Sequence, residues 1–139
     1  MKVRDFMKSE LVVVSPEQSL CEAARIMRDR GVGCLVVARG RELCGILTDR
    51  DIVVRAGCSG QRLSEIPVSS VMTENVVAVH DDGDVEFVLN LMRNHGIRRI
   101  PVLDESQKLA GIISVADLSD IVKRDTTNYL DAVSSHLKD

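Results

Sequence analysis

The sequence predicts an α+β fold of two pseudo-symmetric β-α-β-β-α repeats packed sheet to sheet, with a C-terminal helix. Two observations predict it. First, the chain matches itself when displaced by 65 residues: Met7 falls on Met72, Val12 on Val77, Val14 on Val79, Met27-Arg28 on Met92-Arg93, Gly31 on Gly96 and Val37 on Val102. One extra residue in the second copy then moves the offset to 66, and Leu43 meets Leu109, Gly45-Ile46 meets Gly111-Ile112, and Asp51 meets Asp117. Second, a chain of 139 residues divides into units of roughly 60, which are marginal alone and favour a shared core. The extra residue falls in a polar stretch between apolar runs, a turn where added length costs little.

Each copy opens with a short β-rich run, residues 11–14 and 76–79. A helix follows. Leu20, Ala23, Ala24 and Met27 form its apolar stripe in the first copy, and Val85, Val88, Leu89 and Met92 in the second. Ser19 and Asp84 stand at equivalent N-cap positions, and Gly31 and Gly96 at equivalent C-terminal stops. A hairpin comes next, 34–38 with 43–47, matched by 100–103 with 109–113. A second helix starts near Asp49 and near Val115. The repeats are placed at 3–56 and 71–124, joined by a Gly/Ser-rich linker at 57–70 in which Leu63 and Ile66 suggest a helical turn. Tyr129, Ala132, Val133, His136 and Leu137 mark an amphipathic helix over 125–139, whose stripe suits either internal packing or a subunit contact.

Composition narrows the function. Hydrophobic residues make up 45% and charged residues 28%, a globular balance, and no apolar run approaches the length of a membrane span. The first twenty residues lack a secretory apolar core, so the expected location is cytoplasmic, away from the membrane. Net charge is −3, and the aromatics are Phe6, Phe87 and Tyr129, which supplies neither a basic field nor a stacking platform for nucleic acid. Cys21, Cys34, Cys44 and Cys58 contain no C-x-x-C pair and His80, His95 and His136 are scattered, so reduced cysteines and no metal site are expected. Asp81, Asp82 and Asp84 read as a solvated acidic turn before a capped helix. No nucleophile elbow, Cys–His pairing or phosphate loop is present, and no enzyme is expected.

The sharpest local signal is Gly45-Ile46-Leu47-Thr48-Asp49-Arg50-Asp51-Ile52, echoed by Gly111-Ile112-Ile113-Ser114-Val115-Ala116-Asp117-Leu118. A strand ends, a hydroxyl follows, and an acid stands three residues on at a helix start. One reading is a cap: hydroxyl to backbone N–H, carboxylate favoured by the helix dipole. The other is a ribose site, since a carboxylate at a strand-to-helix turn accepts bonds from a diol while nearby N–H groups suit phosphate. Duplication fits both. The second signal is Ile97-Arg98-Arg99-Ile100-Pro101-Val102, two arginines between a helix stop and a core strand. Their partner is an internal carboxylate, solvent, or a ligand phosphate. The matching positions in the first copy are Gly33 and Cys34.

These residues, with Val71-Met72-Thr73 ahead of the second copy, resemble the CBS domain, specifically the tandem pair called a Bateman module, over about residues 3 to 124. The resemblance implies a regulatory module that takes an adenine nucleotide (AMP, ADP or ATP) or S-adenosylmethionine in clefts between the repeats, with no required cofactor. It implies that Asp51 and Asp117 hold ribose, with Thr48, Asp49, Arg50 and Ser114 beside them. Asp51 would face Val76, Val77, Ile97, Arg98 and Arg99, and Asp117 would face Leu11, Val12, Gly33 and Cys34. The Asp51 cleft is therefore expected to be the stronger phosphate site. Two departures from the family pattern are Met7-Lys8, where Met-Thr is usual, and Leu35-Val36-Val37, where a proline is common. Helix faces hard to cover within one chain, and the family habit, point to a homodimer, with a regulated enzyme or transporter as partner in trans. The competing reading is a structural dimerisation or protein-interaction module with no physiological nucleotide.

Overall fold

The computed structural model describes residues 1–119, so the helix expected over 125–139 lies outside the described residues. The chain forms two compact units, one made of Leu11–Val76 and the other of Met1–Glu10 with the chain from Val77 onward.

In the Leu11–Val76 unit, β1 (Val13–Val14) runs parallel to β2 (Cys34–Arg39), and β2 runs antiparallel to β3 (Glu42–Thr48). Helix α1 (Leu20–Arg30) starts at Ser19, whose hydroxyl accepts from the Glu22 N–H, and stops at Gly31 with φ 65°. Its stripe meets Val14, Leu35, Val37 and Leu47 in the core. After β3, α2 (Asp49–Asp51) widens into a π-helical turn, Ile52–Ala56. The segment read as a linker holds two 3-10 turns, Leu63–Glu65 and Val68–Ser70, and buries Ile66 and Val68 in this core.

The other unit repeats the plan. β4 (Val79–His80) is parallel to β5 (Arg99–Leu103), which is antiparallel to β6 (Leu109–Ser114). Helix α3 (Val85–His95) is capped by Asp84 and stopped by Gly96 at φ 63°. The ladder shifts register between Val37 and Ala38 and between Val102 and Leu103, so even the bulge is duplicated. The opening strands are shorter than the apolar runs at 11–14 and 76–79, because only two residues of each find ladder partners. Beyond β6 the second helix opens as a 3-10 turn, Ala116–Leu118, with Ser119 still in helical conformation.

Each unit also holds a strap across its hairpin, at the start of the chain in one and at the end of the unit in the other. In one, Val3 is fully buried with Val85, Met92 and Ile100, and Lys8 exchanges two backbone hydrogen bonds with Ile112, both 2.9 Å. In the other, Val68 is fully buried and Thr73 exchanges two with Ile46, 2.8 and 3.0 Å. Val3 and Val68, like Lys8 and Thr73, are 65 residues apart, so the strap is part of the repeat. Each strap crosses its hairpin at a glycine. A Cβ on Gly111 would lie 2.6 Å from the Lys8 carbonyl oxygen, and one on Gly45 would lie 2.6 Å from that of Thr73.

Candidate functional site

Both hydroxyl–acid motifs fold as the capping reading predicts. At the end of β3 the Asp51 N–H donates to Thr48 Oγ1 at 3.1 Å, and Asp51 Oδ2 accepts the Thr48 N–H at 3.0 Å. At the end of β6 the Ser114 N–H and the Ser114 hydroxyl both donate to Asp117 Oδ2 at 2.9 Å, and the Asp117 N–H donates to Ser114 Oγ at 3.2 Å. One carboxylate oxygen of each acid is thus committed to the turn. The other oxygen faces a cation. Arg55 Nε stands 3.9 Å from Asp51 Oδ1, one helical turn on, and Arg55 also donates to the Val71 carbonyl at 2.8 Å. Lys8 Nζ stands 3.7 Å from Asp117 Oδ1; the Asp117 side chain is 8% exposed and that of Lys8 is 70%. Capping and ligand recognition are therefore compatible, because the cap leaves Oδ1 of each acid for a second partner.

Within one unit the arginine pair adjoins the Asp117 motif, whereas the expectation set it opposite Asp51. Arg99 is the ladder partner of Ser114, and the Arg98 carbonyl accepts the Val115 N–H at 2.9 Å. The physical reason is the hairpin: an antiparallel pair returns the end of its second strand to the start of its first. Directly opposed residues project from the same face, so Arg99 shares a face with the Ser114 hydroxyl that holds Asp117. Both arginines are exposed, and among the described residues neither side chain has a hydrogen bond or ion pair. The same topology puts Cys34 opposite Thr48 and bonds the Gly33 carbonyl to the Asp49 N–H at 2.9 Å. Gly33 and Cys34 thus adjoin the Asp51 motif of their own unit, whereas the expectation set them opposite Asp117. The Asp49 carboxylate crowds Gly33, since a Cβ there would meet Asp49 Oδ2 at 2.8 Å.

The remaining expected residues divide by unit. Leu11, Val12 and Val76 are half-buried in the Asp51 unit, where the Val12 carbonyl accepts the Val36 N–H at 3.2 Å. Val77 and Ile97 are half-buried against the core of the Asp117 unit. Arg50 follows Asp49, whose Oδ1 accepts the Arg50 N–H at 2.8 Å. Sequence reasoning missed Lys8 and Arg55 as partners of the acids. The i, i+4 spacing of Asp51 and Arg55 was a usable signal. For Lys8 the signal was the Met7-Lys8 departure itself. Among the described residues no group of His, Cys, Asp and Glu could hold a metal ion, and no helix is long and apolar enough to cross a membrane.

A family model described as the CBS domain matches residues 3–56 and 68–124. The chain is 38% identical over 117 residues to the CBS domain-containing protein YhcV of Bacillus subtilis, covering 84% of this chain and 82% of YhcV. Among solved structures, the conserved CBS domain protein TA0289 of Thermoplasma acidophilum matches with a TM-score of 0.85 at 24% identity, over 99% of this chain and 76% of that one. The CBS domain pair of protein MJ0100, crystallised in complex with 5′-methylthioadenosine and S-adenosyl-L-methionine, matches with a TM-score of 0.75 at 24% identity, over 91% and 98%. At that identity the two structures share the fold with this chain.

Proposed function

We propose, from the premise that this chain belongs to the CBS-domain family, that it is a regulatory module which senses an adenosyl small molecule rather than an enzyme. The observation that carries the reading is the duplicated acid. Asp51 and Asp117 each hold one oxygen in the strand-to-helix turn and offer the other to a displaceable cation on a flexible side chain. A ribose diol donates two hydrogen bonds and suits that free oxygen, while Thr48 or Ser114 keeps the carboxylate in place. The complex of the MJ0100 pair with two adenosyl ligands supports that choice of ligand class. The candidate ligands are AMP, ADP, ATP and S-adenosylmethionine, in a cytoplasmic homodimer that reports to an enzyme or transporter in trans. Reporting requires that the ligand bind two conformations unequally.

The test is a thermal-shift and calorimetry series with AMP, ADP, ATP, NAD and S-adenosylmethionine on the wild type, Asp51→Ala and Asp117→Ala. A ligand that binds the native state raises Tm with concentration. Each substitution is expected to remove about 1.5–3 kcal/mol of binding at its own site, the range for a hydrogen bond to a charged group. Unchanged affinity in both folded variants overturns the ribose role. A second reading, an interaction module whose acids are caps alone, is favoured by exposed Val53 and Val54 in one unit and exposed Phe87 in the other. No stabilisation by any of the five ligands would establish that reading in place of the first.

A further inference from the structure

We infer that Lys8, supplied by the N-terminal strap, makes the Asp117 motif select phosphorylated over unphosphorylated adenosyl ligands, an inference that rests on the reading just proposed. The two motifs share one plan but differ in charge. Beside Asp117 the same unit presents Lys8, Arg98 and Arg99, and among the described residues of the motif, 111–118, Asp117 is the one carboxylate. Beside Asp51 it is Asp49, Arg50 and Arg55, so a second acid offsets the arginines. At the strap position Lys8 corresponds to Thr73, a neutral residue on the same backbone bridge. The motif rich in cations is therefore the one whose strap also brings a cation.

The strap fixes where Lys8 can act. Its backbone is tied to Ile112 by two hydrogen bonds, and Ile112 lies two residues before Ser114 on β6. Its side chain is mostly exposed and reaches Asp117 Oδ1 at the loose distance of 3.7 Å. An ion pair between an exposed ammonium and a carboxylate at that distance adds little to stability. A fixed anchor with a weakly held head is a group that can change partners. When ribose hydroxyls take Asp117 Oδ1, the four-carbon stem lets Nζ turn to a phosphate in the company of Arg98 and Arg99. Without a phosphate, Lys8 competes with the ribose for the same oxygen. Lys8 thus favours the phosphorylated ligand and disfavours the bare nucleoside, which is discrimination by both attraction and competition.

The experiment uses the full chain with Asp51→Ala as background, so that calorimetry reports the Asp117 motif. Adenosine, AMP and inorganic pyrophosphate are titrated into this protein and into versions carrying Lys8→Thr, the residue of the other strap, or Lys8→Arg. The expected result for Lys8→Thr is about fivefold weaker AMP and pyrophosphate binding, the scale of one partly screened charge contact. Adenosine binding is expected to be equal or tighter, and Lys8→Arg to keep the preference for AMP. Equal loss of adenosine and AMP in Lys8→Thr would show that Lys8 only props the motif, and an unchanged ratio would show that it does nothing there; either overturns the inference while leaving nucleotide binding standing. Absence of all three ligands from the parent protein, with no ATP or S-adenosylmethionine response in the wild type, overturns the adenosyl reading and this inference together.

Discussion

Replacing Gly111 by alanine is expected to lift the N-terminal strap. The new Cβ would stand 2.6 Å from the Lys8 carbonyl oxygen, so the strap must withdraw about 0.8 Å to reach ordinary contact at 3.4 Å. A withdrawal of that size stretches the Lys8–Ile112 bonds from 2.9 Å past hydrogen-bonding range. Two net backbone bonds are worth about 1–3 kcal/mol together, and the smaller unfolded-state entropy of alanine returns about 0.4–1 kcal/mol. The midpoints of those ranges, about 2 and about 0.7 kcal/mol, leave an expected loss of about 1.3 kcal/mol, read as a lower urea midpoint at unchanged slope. Gly45→Ala meets the Thr73 carbonyl at the same 2.6 Å and should cost a similar amount. The two differ in binding: Gly111→Ala displaces Lys8 and should blunt the preference for AMP over adenosine, whereas Gly45→Ala displaces a threonine. A Gly111→Ala protein within about 0.5 kcal/mol of wild type, the range of neutral surface changes, would refute the steric argument.

The hydrogen bond from Arg39 holds the Glu17 carboxyl below its ordinary 4.5, and Glu17 in turn raises the Arg39 guanidinium. Because the folded value is depressed, this contact stabilises above the unfolded pKa near 4.5 and is lost as pH falls through the folded one. Glu17→Gln should make the acid limb of the stability curve slightly shallower in urea titrations below that pH. The pair is solvent-exposed, so half-molar salt should erase the difference. Light scattering at micromolar concentration should give twice the 15.3 kDa chain mass, and a monomer mass at every concentration would rule out the homodimer.

The repeat made most of the fold legible. Offsets of 65 and 66 carried both caps, both helix stops and both hairpins into place, because each depends on short-range chemistry that recurs with its residues. What escaped was contact between segments distant in sequence. Val3 and Val68 lie outside the apolar runs that mark strands and helices, yet each is fully buried. Their shared offset, with that of Met7 and Met72, was the sign that the straps belong to the repeat. The within-unit neighbours of the arginines escaped for the same reason. Periodicity placed Arg98 and Arg99 at the head of a strand, but strand pairing decided which motif they adjoin, and the partner of Arg99 is Ser114. The hydroxyl–acid motif was legible down to its hydrogen bonds, since a capping box is local. Its cation was not legible for Asp117, because Lys8 lies more than a hundred residues away in the chain.

On the proposed reading, the N-terminal strap would supply the physical step between a bound ligand and a change that a partner can read. A ligand shifts a conformational equilibrium only through contacts that differ between the two states. Lys8 offers such a contact: it faces Asp117 in the structure described, and on the proposed reading it faces phosphate when a nucleotide is bound. The backbone that carries it leaves one compact unit at Glu10 and enters the other at Leu11, so a pull on Lys8 acts two residues from that boundary. A fivefold differential in affinity would turn two equally populated states into a ratio of about five to one. Bare adenosine, which engages the acid without recruiting the lysine, would satisfy the same ribose contacts and move that ratio less. On the proposed reading, the phosphate, rather than the base or sugar, would be the part of the ligand that the module converts into a signal.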